Sequence, residues 1–161
     1  MSKVVPGRYT AQMEGPFAVF AIGMRINRIW AVHKWLPVFL AMGPMIKELY
    51  THRELGFYHT EYFVSWRRIT LLQYWRSFED IERYARGGLH MKEWKDFNRK
   101  VGNDGTVGIF HESYLIEPGK YESVYVNMPA IGLGKAGNHI PASGKRESAR
   151  SRLEASGKSE V

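Results

Sequence analysis

Apolar and polar positions alternate along this chain with two different periods, and the switches between them outline the elements. PFAVFAIGMRI (Pro16–Ile26) is apolar, rich in β-formers and free of acids, which predicts a strand. In the following RIWAVHKWLPVFLAMGPMIKELYTH, the residues Trp35, Phe39, Met42, Ile46 and Leu49 recur at spacings of three and four, the signature of an amphipathic helix. Pro37 suits its first turn, and Gly43-Pro44 is expected to kink or interrupt it. GFYHTEYFVSW and RRITLLQYW read as two strands, either one hairpin or a long bent ribbon. Ser77 then opens SFEDIERYAR. Its hydroxyl can cap the free amides of a helix, and Glu79 and Asp80 suit the positive end of the dipole. Gly87-Gly88 stops that helix. A further helical spacing runs from Leu89 to Val101, with His90, Trp94, Phe97 and Val101 on one face and Lys92, Lys95, Asp96 and Arg99 on the other. TVGIFHESYLI alternates as a strand, with Val107, Ile109, His111, Ser113 and Leu115 on one side. Phe110, Glu112, Tyr114 and Ile116 take the other. EPGK makes a turn, and YESVYVN returns as a short edge strand.

The order is β-α-β-β-α-β with a late extra strand. This is the α+β, ferredoxin-like split βαβ arrangement built on an antiparallel sheet. Helices on one face leave the other face bare, and a bare apolar face needs cover. In this class a second copy supplies it, giving a dimeric α/β barrel, so a homodimer is expected. The expected division is an N-terminal arm over 1–13, the barrel domain over 14–133 and a basic Gly/Ser-rich, loosely held tail over 134–161.

Composition narrows the classes. With 161 residues, 44% hydrophobic and 14% aromatic, the chain can build a core. It has no cysteine, which removes disulfides, thiolate metal sites and thiol nucleophiles. That composition suits the cytoplasm. The start, MSKVVPGRYTAQMEGPF, lacks the apolar core of a signal peptide, and no apolar run reaches the roughly 18 residues of a membrane span. The net charge of +7 divides into six Lys or Arg against three Glu from Gly134 onward (6 − 3 = +3), leaving +4 over residues 1–133. The cations are interleaved with acids, so neither nucleic acid nor membrane is expected as a partner.

GLGKAG (Gly132–Gly137) fits the dinucleotide pattern G-x-G-x-x-G, but it neither follows a long strand nor precedes the rest of a βαβ unit, so a turn is expected there. The chain contains no HExxH, GxSxG, P-loop or EF-hand pattern. Histidine is the remaining chemistry. His139 falls in the tail, and His52 falls near a helix end, where a cation is favourable. His33 and His59 fit either orientation. His90 and His111 stand on faces expected to be buried, on a helix and a strand that can border one cavity.

Several blocks together resemble one known group. IGMRINRIWAVHKWLPVFLAM, QYWRSFEDIERYA, HMKEWKDFNRKV, VGIFHESYLIEPGKYESVYVNMP and IGLGKA, spanning roughly residues 14–153, are similar to the DUF4188 "monooxygenase family protein" group of dimeric α/β-barrel, antibiotic-biosynthesis-monooxygenase-like proteins. A more distant likeness is to the haem-binding half of aldoxime dehydratases. It is carried by Tyr74, Arg76 and Ser77, by His90, by His111 and Glu112, and by Tyr121, Glu122 and Asn127. That likeness implies His90 as the haem-iron ligand and His111 as a distal acid–base group. This chain is about half as long as a dehydratase, and the serine that holds the oxime hydroxyl in those enzymes has no clear counterpart.

The residues allow a haem reading in which His90 ligates iron and Trp94 and Phe97 wall the pocket. In that reading Arg25, Arg28 or Arg76 meets the propionates, while His111 and Glu112 serve the chemistry. The expected substrate is a small organic molecule. A cofactor-free monooxygenase of the same fold, with His90 or His111 as base, is the alternative. A non-catalytic dimer that holds an apolar ligand is a third reading.

Overall fold

The structure, a computed structural model, describes residues 3–87, 91, 92, 95, 96, 99 and 103–158. His90, Trp94, Phe97 and Val101 lie outside the described residues. Met91, Lys92, Lys95, Asp96 and Arg99 are helical, in keeping with the spacing read there.

Two antiparallel sheets carry the fold. The larger has the order β3-β4-β2-β5, built from β2 (Phe17–Ile26), β3 (Phe57–Ser65), β4 (Arg68–Trp75) and β5 (Val107–Ile116). Strand β2 is paired along its whole length with β5, from Phe17↔Ile116 to Ile26↔Val107. On its other side it pairs with β4, from Ala18↔Trp75 to Arg25↔Arg68. The turn between β3 and β4 falls at Trp66-Arg67, which settles the pair as one hairpin.

Alternation along β2 gives the sheet two apolar faces. Ala18 and the half-buried Phe20 and Ile22 face the helices, with Leu71 and Trp75 of β4. Against them pack Ile46 and Leu49 of α1 (Val32–Thr51) and Ile81 of α2 (Phe78–Ala85). Phe57, Trp75 and Tyr84 run as edge-to-face and tilted rings through this layer. Helix α1 is a single element that passes through Pro37 and Pro44 without the interruption expected at Gly43-Pro44. Pro44 removes the hydrogen bond to the carbonyl of Leu40. Leu40, Gly43 and Pro44 are all exposed, so the loss falls on the solvent side.

Phe17, Val19, Leu72 and Tyr74 point the opposite way, where a second copy was expected as cover. The chain covers that end itself. A second sheet, of order β6-β1-β7 with β6 (Tyr125–Met128), β1 (Val5–Gln12) and β7 (Asn138–Pro141), and its flanking segments lay Ala11, Met13, Tyr121, Tyr125 and Leu133 over these residues. Residues 1–13 are therefore more than an arm, because they include β1 (Val5–Gln12) at the centre of that sheet. The late strand β6 (Tyr125–Met128) pairs with β1 and not with the larger sheet.

The basic C-terminal segment is likewise built into the fold and is not a loose tail. Strand β7 (Asn138–Pro141) pairs with β1 through Tyr9↔Pro141 to Gln12↔Asn138. The one-turn helix α3 (Leu133–Ala136) comes from the GLGKAG stretch. Helix α4 (Ala149–Ser156) starts on a reciprocal cap between Ser148 and Ser151. Its Arg152 is only 5% exposed. That guanidinium donates to Glu122 Oε2 at 2.8 Å and to the Glu147 carbonyl at 2.7 Å. The tail's composition hid a buried cation paired to a carboxylate and to backbone carbonyls. No helix among the described residues is long and apolar enough to cross a membrane.

Two local devices hold the larger sheet. Gly23 lies under the ring of Phe110 and beside the Ile69 carbonyl, where a Cβ would come within 2.6 Å of both. Gly23→Ala should cost about 1–3 kcal/mol, read from urea unfolding, because backbone and ring must both move. At the start of α2, Ser77 caps Asp80 N–H as its sequence indicated. Asp80 is 3% exposed and accepts from Arg76 Nε at 2.8 Å, Arg76 Nη2 at 3.0 Å and Arg83 Nη1 at 2.7 Å. The Arg76 hydrogen bonds lead in holding its carboxyl below the usual aspartate range, against the effect of burial. Because the folded value is depressed, this contribution is present above about pH 4 and is lost as pH falls through the lowered value. Asp80→Ala should lower stability by roughly 2–4 kcal/mol at neutral pH, with the difference from the wild-type protein shrinking in acid.

Candidate functional site

The expected site residues do not converge on one point. His111 pairs in register with Ile22, which puts it on the helix-facing side of β5, and its ring lies 5.6 Å from Phe20. The side was correctly read from the alternation, but His111 is exposed where burial was expected. Strand β5 is the edge of the sheet, so beyond Val107 the described helices do not close over it. Glu112 points to the opposite face, opposite Ala21, and accepts from the Tyr114 hydroxyl at 2.6 Å. Arg25 shares that opposite face at the far end of the strand, beside Gly108. Arg76 is occupied by Asp80. Tyr121, Glu122 and Asn127 all serve the second sheet. Tyr121 Oη accepts from Met13 N–H at 2.8 Å, Glu122 takes Arg152, and Asn127 Oδ1 accepts from Gly7 N–H at 3.0 Å.

The histidine with the most developed surroundings is His59, for which the residue spacing favoured neither orientation. It is 5% exposed, at the irregular step of β3 between Phe57 and His59. Its Nδ1 stands 2.8 Å from Tyr50 Oη, and its Nε2 stands 2.9 Å from Glu61 Oε1. The Thr60 amide donates to Tyr50 Oη at 3.2 Å, and the Gly132 amide donates to Glu61 Oε1 at 2.7 Å. These partners assign the protons. Tyr50 Oη accepts one and has its own to give, so it donates to Nδ1, and Nε2–H is left for the carboxylate. Burial pushes the Glu61 carboxyl up, but the Gly132 amide and His59 outweigh it and hold the group below the usual glutamate range. Beneath Gly132 lies Tyr74, whose hydroxyl burial raises to about 12. Sequence spacing could not find this chain of bonds, because it joins the end of α1, an irregular step in β3 and a loop 71 residues after Glu61.

A third feature is a cleft of about 490 Å³ at one end of the larger sheet. It is lined by Asn27, Arg28, Ile29, Trp30, Ala31, His33 and Arg67. Arg28, suggested as a propionate partner, is here. Among the described residues no cluster of three or more histidines or carboxylates is placed to hold a metal ion.

A sequence profile of the "Monooxygenase af470-like" family matches residues 17–133, most of the chain and the whole of the larger sheet. The chain belongs to this family. It is similar to "Monooxygenase af470" of Aspergillus fumigatus, with 32% identity over 160 residues, covering 84% of this chain and 56% of that protein. The chain thus spans little more than half the length of that curated relative. Among solved structures it is similar to an aldoxime dehydratase in complex with butyraldoxime, with a TM-score of 0.65 and 14% identity over 80% of this chain and 39% of that one. A second aldoxime dehydratase structure matches at a TM-score of 0.54 and 15% identity, over 98% of this chain and 47% of the other. At these identities the structural likeness establishes the fold alone, the α+β arrangement on antiparallel sheets that the sequence implied.

The His59 chain makes a testable statement about stability. His59→Leu strands the Tyr50 hydroxyl and the buried side of Glu61, and should cost about 2–4 kcal/mol in urea unfolding. Tyr50→Phe removes two bonds, the one to His59 Nδ1 and the one from the Thr60 amide, and should cost about 1–3 kcal/mol. Since the Glu61 value is depressed on folding, its share is present above the ordinary glutamate pKa. It fades as pH falls through the lowered value, so Glu61→Gln should approach the wild-type protein below about pH 4.

Proposed function

We propose that this protein is a monooxygenase-type oxidoreductase acting on a small, apolar organic substrate, with His111 as the group that takes or gives a proton. Its membership of a monooxygenase family supports the reaction class. The observation that carries the site is the placing of His111: an exposed imidazole on the helix-facing side of an edge strand, against Phe20 and next in the alternation to the partly exposed Ile109. A proton-transferring histidine needs this combination of an accessible nitrogen and an apolar wall.

Haem is the proposed cofactor, with His90 as the side chain that would hold its iron and His111 as the group that would exchange a proton. The fit is partial. The imidazole and apolar wall suit a flat macrocycle, whereas Arg76 is committed to Asp80 and Arg25 lies on the opposite face of the sheet from His111. When bound, haem would supply the redox chemistry at iron. The aldoxime dehydratase likeness makes dehydration of an aliphatic oxime a second reaction to assay under this same proposal.

We also propose a homodimer. The second sheet covers only the Phe17 end of the face opposite the helices; Phe63 remains exposed on the rest of it, and Tyr114 is exposed on the edge strand. Each dehydratase chain is more than twice the length that this chain matches, which supports two copies here in place of two halves there.

The deciding experiment titrates the purified chain with hemin and follows oxygen uptake with a panel of phenols and nitrile formation from short oximes. A Soret band that His90→Ala abolishes supports haem. Uptake without a band supports the cofactor-free form of the reading. In either form His111→Ala should reduce kcat by about 10²–10⁴-fold with the fold intact. Full activity in that variant overturns the assignment.

A further inference from the structure

The end of the larger sheet from which β2 and β3 leave, and at which β4 and β5 begin, carries two tryptophans in open solvent. Trp30, between β2 and α1, is 93% exposed, and Trp66, at the tip of the β3–β4 hairpin, is 88% exposed. The two turns are tied together. Ile26 N–H donates to the Arg67 carbonyl at 2.8 Å, Arg67 Nε donates to the Ile26 carbonyl at 3.0 Å, and Arg67 Nη2 also bonds the Asn27 carbonyl. The rings therefore project from one braced edge. Exposed Ile29, Val32 and Val64 lie on the same edge.

Its charge is one-sided. Arg25 and Arg68 are register partners on adjacent strands, and their row continues to Ser65 on one side and Gly108 on the other, with no acid in it. Like charges directly opposite in an antiparallel pair cost stability, so the placement calls for an anion from outside. Arg28 and Arg67 add to it. Among the described residues of these turns the acid is Asp104, which is paired to Lys34. Helix α1 begins at this edge with no acid in its first turn and no side-chain cap, adding its positive end.

We propose that this edge docks on an anionic phospholipid surface, the tryptophans seated at the level of the headgroups and the arginines on the phosphates. Tryptophan suits that boundary because its ring is apolar and its N–H is not. A second copy of the chain is a poor occupant, since it would bring arginines against arginines. A nucleic acid would meet the charge but leave Ile29, Val32 and Val64 without an apolar partner. The expectation that the chain has no membrane partner rested on cations interleaved with acids along the sequence, whereas the fold gathers Arg25, Arg28, Arg67 and Arg68 at one end of the sheet. In this pose the mouth of the Trp30 cleft opens at the lipid boundary, where a small apolar molecule would be most concentrated. The docking itself does not depend on the oxidoreductase reading.

The test is sedimentation of the full chain with vesicles of phosphatidylcholine alone or mixed with phosphatidylserine. The expected result is binding to the mixed vesicles that weakens with salt, by about fivefold in partition for each arginine removed in Arg28→Gln and Arg68→Gln. Trp30→Ser with Trp66→Ser should reduce partition roughly tenfold or more, and bromine-labelled lipid should quench the wild-type tryptophan emission more than that of the double variant. Far-UV circular dichroism checks that these surface variants fold. No binding to mixed vesicles, or binding unchanged in the tryptophan variant, overturns the proposal. So does binding to a single-stranded oligonucleotide that outcompetes the vesicles, or a self-association that the same variants abolish.

Discussion

Strand β2 is apolar on both faces, and the rest of the structure follows from that constraint. A strand buried on one side alternates and can leave its polar residues in water. Strand β2 cannot do this, because Ala18 and Met24 on one face and Phe17 on the other are almost fully enclosed. One helical layer therefore does not suffice. The chain adds a second sheet made from its two ends, and the aromatic residues Tyr74 and Tyr121 close the seam between the sheets. The burial of Arg152 belongs to the same solution. A buried guanidinium is tolerable only when it is paired, and Glu122 with two carbonyls of the 146–147 turn accept from its Nε and Nη1.

The part of the fold that was legible in the sequence is the part decided locally. The strand at Phe17–Ile26 is a continuous apolar run, the α2 start is written in Ser77 and the two acids after it, and the sidedness of β5 follows from strict alternation. What was hidden depends on partners far away in the chain. VPGRYTAQ has no strong strand pattern and becomes β1 only because β6 and β7, more than a hundred residues later, pair with both its edges. The tail's Gly, Ser and Lys content concealed Arg152, whose partner Glu122 is 30 residues away. The expected burial of His111 was wrong for a related reason. Alternation tells which way a side chain points, but not that the strand is the last in its sheet.

The candidate site divides in the same way. His111 was recognisable as chemistry on a definite face. His59 was not, since its meaning lies in Tyr50, Thr60 and Gly132 converging on it from three elements. The chain Thr60–Tyr50–His59–Glu61–Gly132 uses every polar atom of the imidazole, which describes a group held still. His111 has an accessible ring, no comparable set of bonds among the described residues and an apolar neighbour, which describes a group left available. The buried histidine thus reads as structure and the exposed one as function, the reverse of what burial alone suggests.

That contrast extends to the arginines. Arg76 and Arg152 are matched to carboxylates with good geometry and stabilise the fold. Arg25 and Arg68 face each other across a ladder with no acid in their row. Natural sequences keep local choices consistent with the fold except where something else demands otherwise. A cation pair on a sheet, next to two tryptophans standing in water, breaks two such rules within one edge. Neither feature adds to the stability of the isolated chain, and the arginine pair subtracts from it. The simplest physical account is a surface that is complete only when an anionic, partly apolar neighbour is in place.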